Sequence, residues 1–316
     1  MAFTQFKVRA ARPVATPAAP VKAAPQALDT REAVVLADDS RKLVFDKATG
    51  MMTAWVVDGA PLLVHGPRAN FWRAPTDNDG GLRGTGVQKE WREHGLHALM
   101  HHVESVDVSS NDAGSPRVVV RTRVAGPVVK MGIACEYAYT MRPDGALTVE
   151  FSGAPWGEWT CIWPRIGLQL RLPRTLDRCR WYGRGPGESY ADSKSGQRLG
   201  CWTATVDEMF TNYVFPQENG NHTDTRQVAL TDAFGAGLMA RAEAPFDFSA
   251  HWYDTKDLET ARHTYDLVKR DCVTLNLDLA QSGLGSNSCG PRALARYEWK
   301  PMPFRFVVTL SPLRAG

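Results

Sequence analysis

A chain of 316 residues can hold one large all-β domain or two ordinary ones, and it is long enough to bury a sizeable core. Its 43% hydrophobic and 22% charged residues are the composition of an ordinary soluble globular protein. A net charge of +3, from 37 basic and 34 acidic side chains with no Lys/Arg run, gives nucleic-acid binding no support, and no apolar run approaches the ~18 residues of a membrane span.

The first six residues lack the basic start and apolar core of a secretory signal, so secretion is not indicated. Residues 3–8 read as the last strand of a preceding domain, in which case the chain begins where a larger ancestor was divided. Residues 10–28 hold four prolines among many alanines and read as an extended linker. The domain division expected is therefore 1–32, an N-terminal segment and linker, and 33–316, a single β-sandwich domain.

From Ala33 the pattern is β, in residues 34–36, 43–46, 51–57 and 62–64, joined by tight turns at Gly50 and Gly59. Residues 71–75 run into the polar loop Thr76-Asp77-Asn78-Asp79-Gly80-Gly81. One helix is predicted over 89–94, where charged helix formers flank Trp91 and Gly95 supplies the C-terminal cap. His94, His97, His101 and His102 invite a metal reading. Without a carboxylate at ligand spacing they are taken as surface histidines.

Apolar residues then alternate with period two in 118–123, 133–141, 146–151 and 166–172. Trp163 has the shape to seat a sugar ring, but a sandwich core also wants tryptophan, and the core is the expectation. Further strands are predicted over 228–230, 237–242, 246–250, 273–279 and 304–310, with at most a short helical turn over 257–261. Roughly fifteen to twenty strands with almost no helix argue an all-β sandwich of large sheets. Six cysteines, at 135, 161, 179, 201, 272 and 289, show no zinc-like spacing and are read as buried free thiols in a reduced, cytosolic setting.

The stretch 181–226 concentrates glycines, prolines, aromatics and two polar clusters, 185–192 and 217–224. Glycine opens conformations closed to other residues, and Asn and Asp bond their own backbone, so this is a set of ordered loops hung on strands. Aromatics beside short polar side chains also suit a sugar, which offers C–H faces and hydroxyls. Loop packing and sugar recognition both account for the pattern.

Four runs decide between them: FWRAPTDNDGG (71–81), WYGRGPGESYADSKSG (181–196), YVFPQENGNHTDTR (213–226) and GLGSNSCGP (283–291). In order and spacing they resemble the C-terminal domain of glycoside hydrolase family 2 β-galactosidases, which in some of those enzymes is a separate polypeptide, the small chain. The resemblance covers residues 33–313 and implies a galactose-mutarotase-like β-supersandwich. It also implies that both catalytic glutamates lie on a (β/α)₈ barrel in a large subunit, that the substrate is a lactose-type β-galactoside, and that the assembly is an oligomer. Magnesium and sodium accompany the family's complete enzyme, but no ligand set for them stands out in this sequence.

Retaining glycoside hydrolysis needs two carboxyl groups about 5 Å apart. The nearest pairs here, Glu188 with Asp192 and Glu218 with Asp224, sit in turns where carboxylates bond backbone N–H groups, so no catalytic residue is assigned. The resemblance makes 283–291 the loop that reaches the sugar, with Ser286, Asn287 and Ser288 available to hydroxyls. Cys289 stands where a relative carries a stacking aromatic. Asn219 and His222 are further candidates for sugar contact, but with Asn221 and Arg226 they are read first as braces for the loops. Two other functions remain open: an aldose 1-epimerase (mutarotase) using Glu218 and His222 as acid and base, and a free-standing carbohydrate-binding module.

Overall fold

The computed structural model describes residue 5 and residues 25–111 and 114–314. The expected strand 3–8 and the linker residues 10–24 thus lie outside the described residues, except for Gln5. The Gln5 side chain exchanges two hydrogen bonds with the Leu199 backbone, at 2.8 and 2.9 Å.

Five strands, β1 Gln26–Asp29, β2 Ala33–Ala37, β3 Arg41–Asp46, β4 Met51–Val57 and β5 Ala60–Leu63, form a meander in chain order. β1 falls within the stretch read as linker because its backbone groups pair with β2, although its side chains are exposed. In β3 burial alternates strictly, with Arg41, Leu43 and Phe45 inward, as the period-two reading requires.

The second sheet holds twelve strands among the described residues. Its long path begins with β13 (Arg198–Thr205), β12 (Arg178–Gly185), β14 (His222–Thr231) and β15 (Gly237–His251). It continues through β17 (Phe304–Leu313), β10 (Leu147–Trp156), β9 (Gly132–Met141), β8 (Pro116–Ala125) and β7 (Met100–Ser110). The segments 237–242 and 246–250, predicted as two strands, are one. Its first half pairs with β17, and its second half with β16 (Cys272–Gln281). β16 leads on to β11 (Arg165–Pro173) and β6 (His65–Asn70), so β15 forks the sheet into two wings.

The wings enclose one apolar core. Phe151 packs against Phe71, Tyr137 and Phe304 with ring centroids 5.0–6.4 Å apart, and Trp163 joins the same cluster, so the core reading of Trp163 holds. Phe45 lies 4.9 Å from Tyr139 and fastens the small sheet to the large one. On β16 both faces are buried: Val273, Leu275 and Leu277 face the core, while Thr274, Asn276 and Asp278 occupy a buried polar layer.

Among the described residues α-helix is confined to α1 Asp77–Gly80, α2 Val87–Glu93 and α3 Thr255–Thr260, with Gly95 in the left-handed conformation after α2. No helix among the described residues is long and apolar enough to cross a membrane. All six cysteines are unpaired, but Cys201 and Cys289 are exposed, which corrects the reading of every thiol as buried. Phe151→Ala should lower folding stability by about 3–5 kcal/mol, because it removes a fully buried ring from a cluster of rigid aromatics; urea denaturation would measure it.

Candidate functional site

Four loops meet at one rim, and each is the continuation of a strand or short helix. Residues 76–81 surround α1, 185–192 follow β12, 210–221 lead into β14, and 282–291 follow β16. Loop backbone groups buried without partners would cost about 1–3 kcal/mol each. The side chains of these loops supply those partners to one another.

The 282–291 loop is held from two sides. The Asp192 carboxylate accepts the Leu284 N–H at 3.1 Å and the Gly285 N–H at 2.7 Å. The Asn78 amide donates to the Gly285 carbonyl at 2.8 Å, and its oxygen accepts the Ser288 N–H and hydroxyl at 3.1 and 2.7 Å. The Leu82 N–H donates to the Asn287 carbonyl at 2.8 Å. Gly81, at φ +67°, has no room for a side chain: a Cβ there would stand 2.5 Å from Asn287 Nδ2.

Below lie two buried arginines. Arg73 makes a two-pronged contact with Asp79, at 3.1 and 2.7 Å, and donates to the Ser282 and Gly283 carbonyls. Arg165, wholly buried, binds Glu218 at 2.7 Å and Asp278 at 3.0 Å. Burial, together with Glu218 and Asp247, pushes Asp278 up to about 8 despite Arg165. Burial also lifts Asp247, to about 7.

The carboxylates weighed for catalysis are all engaged. Glu188 accepts the Gly220 N–H at 2.7 Å and the Tyr213 hydroxyl, and Asp192 accepts two N–H groups, as expected of turn carboxylates. Glu218 and Asp224 depart from that expectation, since both take cations: Arg165 for Glu218, and Arg184 and Lys194 for Asp224. Against the upward push of burial, those two cations hold Asp224 below the usual aspartate range.

The substrate-contact residues named from sequence separate into two groups. Ser286, Asn287, Ser288 and Cys289 share the rim loop, with Ser286 and Cys289 exposed. The Ser288 hydroxyl is spent on Asn78, and Asn287 Nδ2 is buried without a hydrogen-bond partner. Asn219 and His222, named both as braces and as candidates for sugar contact, are each 1% exposed. Asn219 accepts the Thr211 N–H and donates to the Gln217 carbonyl, both at 3.0 Å. His222 lies between the rings of Trp181 and Phe248, and burial depresses it to about 4. Both are buried because the chain turns inward at Pro216 and runs through Asn219 into His222 at the start of β14.

The histidines read as surface groups are more varied. His94 is half-buried, stacks on Trp159 and bonds the Glu90 carbonyl at 2.8 Å, while burial beside Arg68 pulls His101 down to about 3. No three His, Cys, Asp or Glu converge on a point among the described residues, and the rim carboxylates are committed to amides and cations. Among the described residues, the rim carboxylates therefore offer no set of free oxygens for magnesium.

Sequence reasoning missed Asn78, Arg73 and Arg165. Asn78 and Arg73 do stand in the first of the four runs, whose co-occurrence was the available signal. For Arg165 the sequence offered none.

A family model described as "Beta galactosidase small chain" matches residues 37–310. A β-galactosidase of Priestia megaterium is 33% identical over 244 residues, covering 77% of this chain and 23% of the relative. One from Kluyveromyces lactis is 31% identical over 289 residues, covering 90% and 27%. The chain thus spans about a quarter of the length of these relatives. Among solved structures, a galactose mutarotase related enzyme from Lactobacillus acidophilus covers 90% of this chain at 10% identity with a TM-score of 0.49.

Asp192→Ala should cost about 1–3 kcal/mol, since two loop N–H groups lose their acceptor, and hydrogen exchange at Leu284 and Gly285 should quicken. Asp278 carries a native value of about 8 against roughly 3.9 unfolded, so the native state binds more protons between those values and loses stability as pH rises through them. His222 and His251, both depressed by burial, act oppositely below about pH 6.5. From pH 7 to 9, wild type should therefore lose about 1 kcal/mol more than Asp278→Asn in paired denaturation curves.

Proposed function

Because the chain belongs to the β-galactosidase small-chain family, we propose that it completes the active-site cleft of a retaining β-galactosidase whose two catalytic glutamates lie on a barrel in a separate large chain. The observation that carries this reading is the clamped loop 282–291. Asp192 and Asn78 hold it rigid, yet it leaves Ser286 and Cys289 exposed at the rim. A wall that presents a fixed contour without its own reactive acids suits a subunit that shapes a cleft, since positioning alone contributes to rate when the geometry is held.

The substrate in this reading is a terminal β-D-galactoside of the lactose type, and the working enzyme is an oligomer. Ser286, Asn287, Ser288 and Cys289 form the contacting wall, and Asn219 and His222 hold the loops behind it. Cys289 brings a small thiol where an aromatic would stack, so the wall contributes shape and width more than stacking. Residues 33–316 act as one domain, to whose small sheet 26–29 adds a strand, with the rest of 1–32 as an N-terminal segment. Six unpaired cysteines suit a reducing compartment, and the cytosol is the proposed location.

A mutarotase would need a mobile acid and base in contact with an aldose. Glu218 and His222 are 4% and 1% exposed, and Glu218 is bound to Arg165, which weighs against that use. The test is hydrolysis of a chromogenic β-galactoside by the pure chain, alone and mixed with Priestia megaterium β-galactosidase from which the matched stretch has been deleted. The chain alone should show no turnover and the mixture should regain it. Enzyme-like turnover by the chain alone, or none by the mixture, would overturn the reading.

A further inference from the structure

We infer that Tyr213, Val214 and Phe215 form a preformed apolar knob that docks into the large β-galactosidase chain, beside the cleft wall. The inference rests on the cleft-completing reading and adds to it the anchor of the interface.

Three consecutive apolar side chains at the tip of this loop are exposed: Tyr213 at 38%, Val214 at 89% and Phe215 at 49%. Single exposed apolar residues are common on soluble proteins, whereas a contiguous cluster marks a surface that meets another body. Their exposure is imposed by the next segment of chain. Residues 216–223 are buried without exception, so the backbone drops from the tip straight into the polar layer.

The tip is also braced on both sides. The Tyr213 hydroxyl donates to Glu188, which in turn accepts the Gly220 N–H. The Gln217 amide accepts the Asp77 N–H at 3.0 Å and donates to the Phe215 carbonyl at 3.0 Å. A loop held this way cannot fold its apolar tip back onto its own core. A preorganised anchor of this kind loses little conformational freedom on binding.

The occupant is fixed by position. Asp77, the partner of Gln217, begins α1, and its neighbour Asn78 clamps the 282–291 loop. Leu82, 59% exposed, is bonded to that loop through the Asn287 carbonyl. The knob and the cleft wall are therefore one rigid rim, and whatever faces the wall also meets the knob. In relatives of which this chain spans 23–27%, the remaining length supplies that body. An apolar socket on it, with Tyr and Phe as anchors, is the usual centre of such contacts.

The test titrates the full chain onto the Priestia megaterium β-galactosidase deleted of its matched stretch, measuring binding by interferometry and recovered hydrolysis of a chromogenic β-galactoside. Val214→Asp, at a side chain 89% exposed, should weaken binding at least tenfold with unchanged melting temperature, and Phe215→Ser, at a half-exposed ring, should weaken it by as much. Phe234→Ser, an 80% exposed aromatic away from the rim, should bind as wild type does. If wild type binds and both knob variants bind equally well, the inference falls and the cleft-completing reading stands. If they lose only self-association of this chain, the knob meets a second copy and the inference falls too. Absence of wild-type binding would overturn the reading itself.

Discussion

The guanidinium of Arg165, fully buried between Glu218 and Asp278, is the interaction on which the arrangement of the rim depends. It joins the first residue of β11 to β16 and to the loop that precedes β14. A buried ion pair contributes little net stability, because desolvation offsets most of the attraction, but losing one partner strands a charge and costs about 3–5 kcal/mol. The pairing therefore works as a constraint on geometry: the loop at 217–219 has one place to go. Arg73 repeats the device one layer outward, where Asp79 neutralises it while its remaining donors fix the carbonyls of Ser282 and Gly283.

These arginines can be buried because of how the sheet divides. β15 pairs with β17 along its first half and with β16 along its second, so the strands on either side of the fork diverge. Beyond the fork, the second face of β16 carries Thr274, Asn276 and Asp278 as buried polar residues, with Asp278 against Arg165 at the start of β11. Asn276 answers the same demand, donating to Ser249 and accepting from Asn70 and Gln169. The partners of Asn276 lie on strands far apart in sequence, whereas Thr274 Oγ1 and Asp278 Oδ1 are buried without a hydrogen-bond partner.

A rim built in this way is rigid and chemically quiet. Its carboxylates are consumed by amides and cations, and its histidines are buried and held neutral by desolvation. What it offers outward is a fixed contour, a thiol and a serine at the wall, and apolar side chains at the neighbouring tip. The stability of the loops and the contour of the rim thus draw on the same residues. Asp192 and Asn78 satisfy loop backbone that would otherwise be unpaired, and in doing so they set the shape of the surface that the rim exposes.

Local sequence determined the all-β class, most strand positions, the helix before Gly95 and the place of Trp163 in the core, because period-two burial and turn chemistry are written within a few residues. Four separated runs in a fixed order were also enough to identify the family. The tertiary structure alone decided that 26–29 joins a sheet, that 237–251 is one forked strand, and that Asn219 and His222 lie inside while Ser286 and Cys289 remain outside. Those outcomes depend on pairings between residues such as Arg165, Glu218 and Asp278, more than fifty positions apart. A polar side chain reads the same in sequence whether it braces a loop or meets a ligand, and only the partner that the fold brings to it tells the two apart.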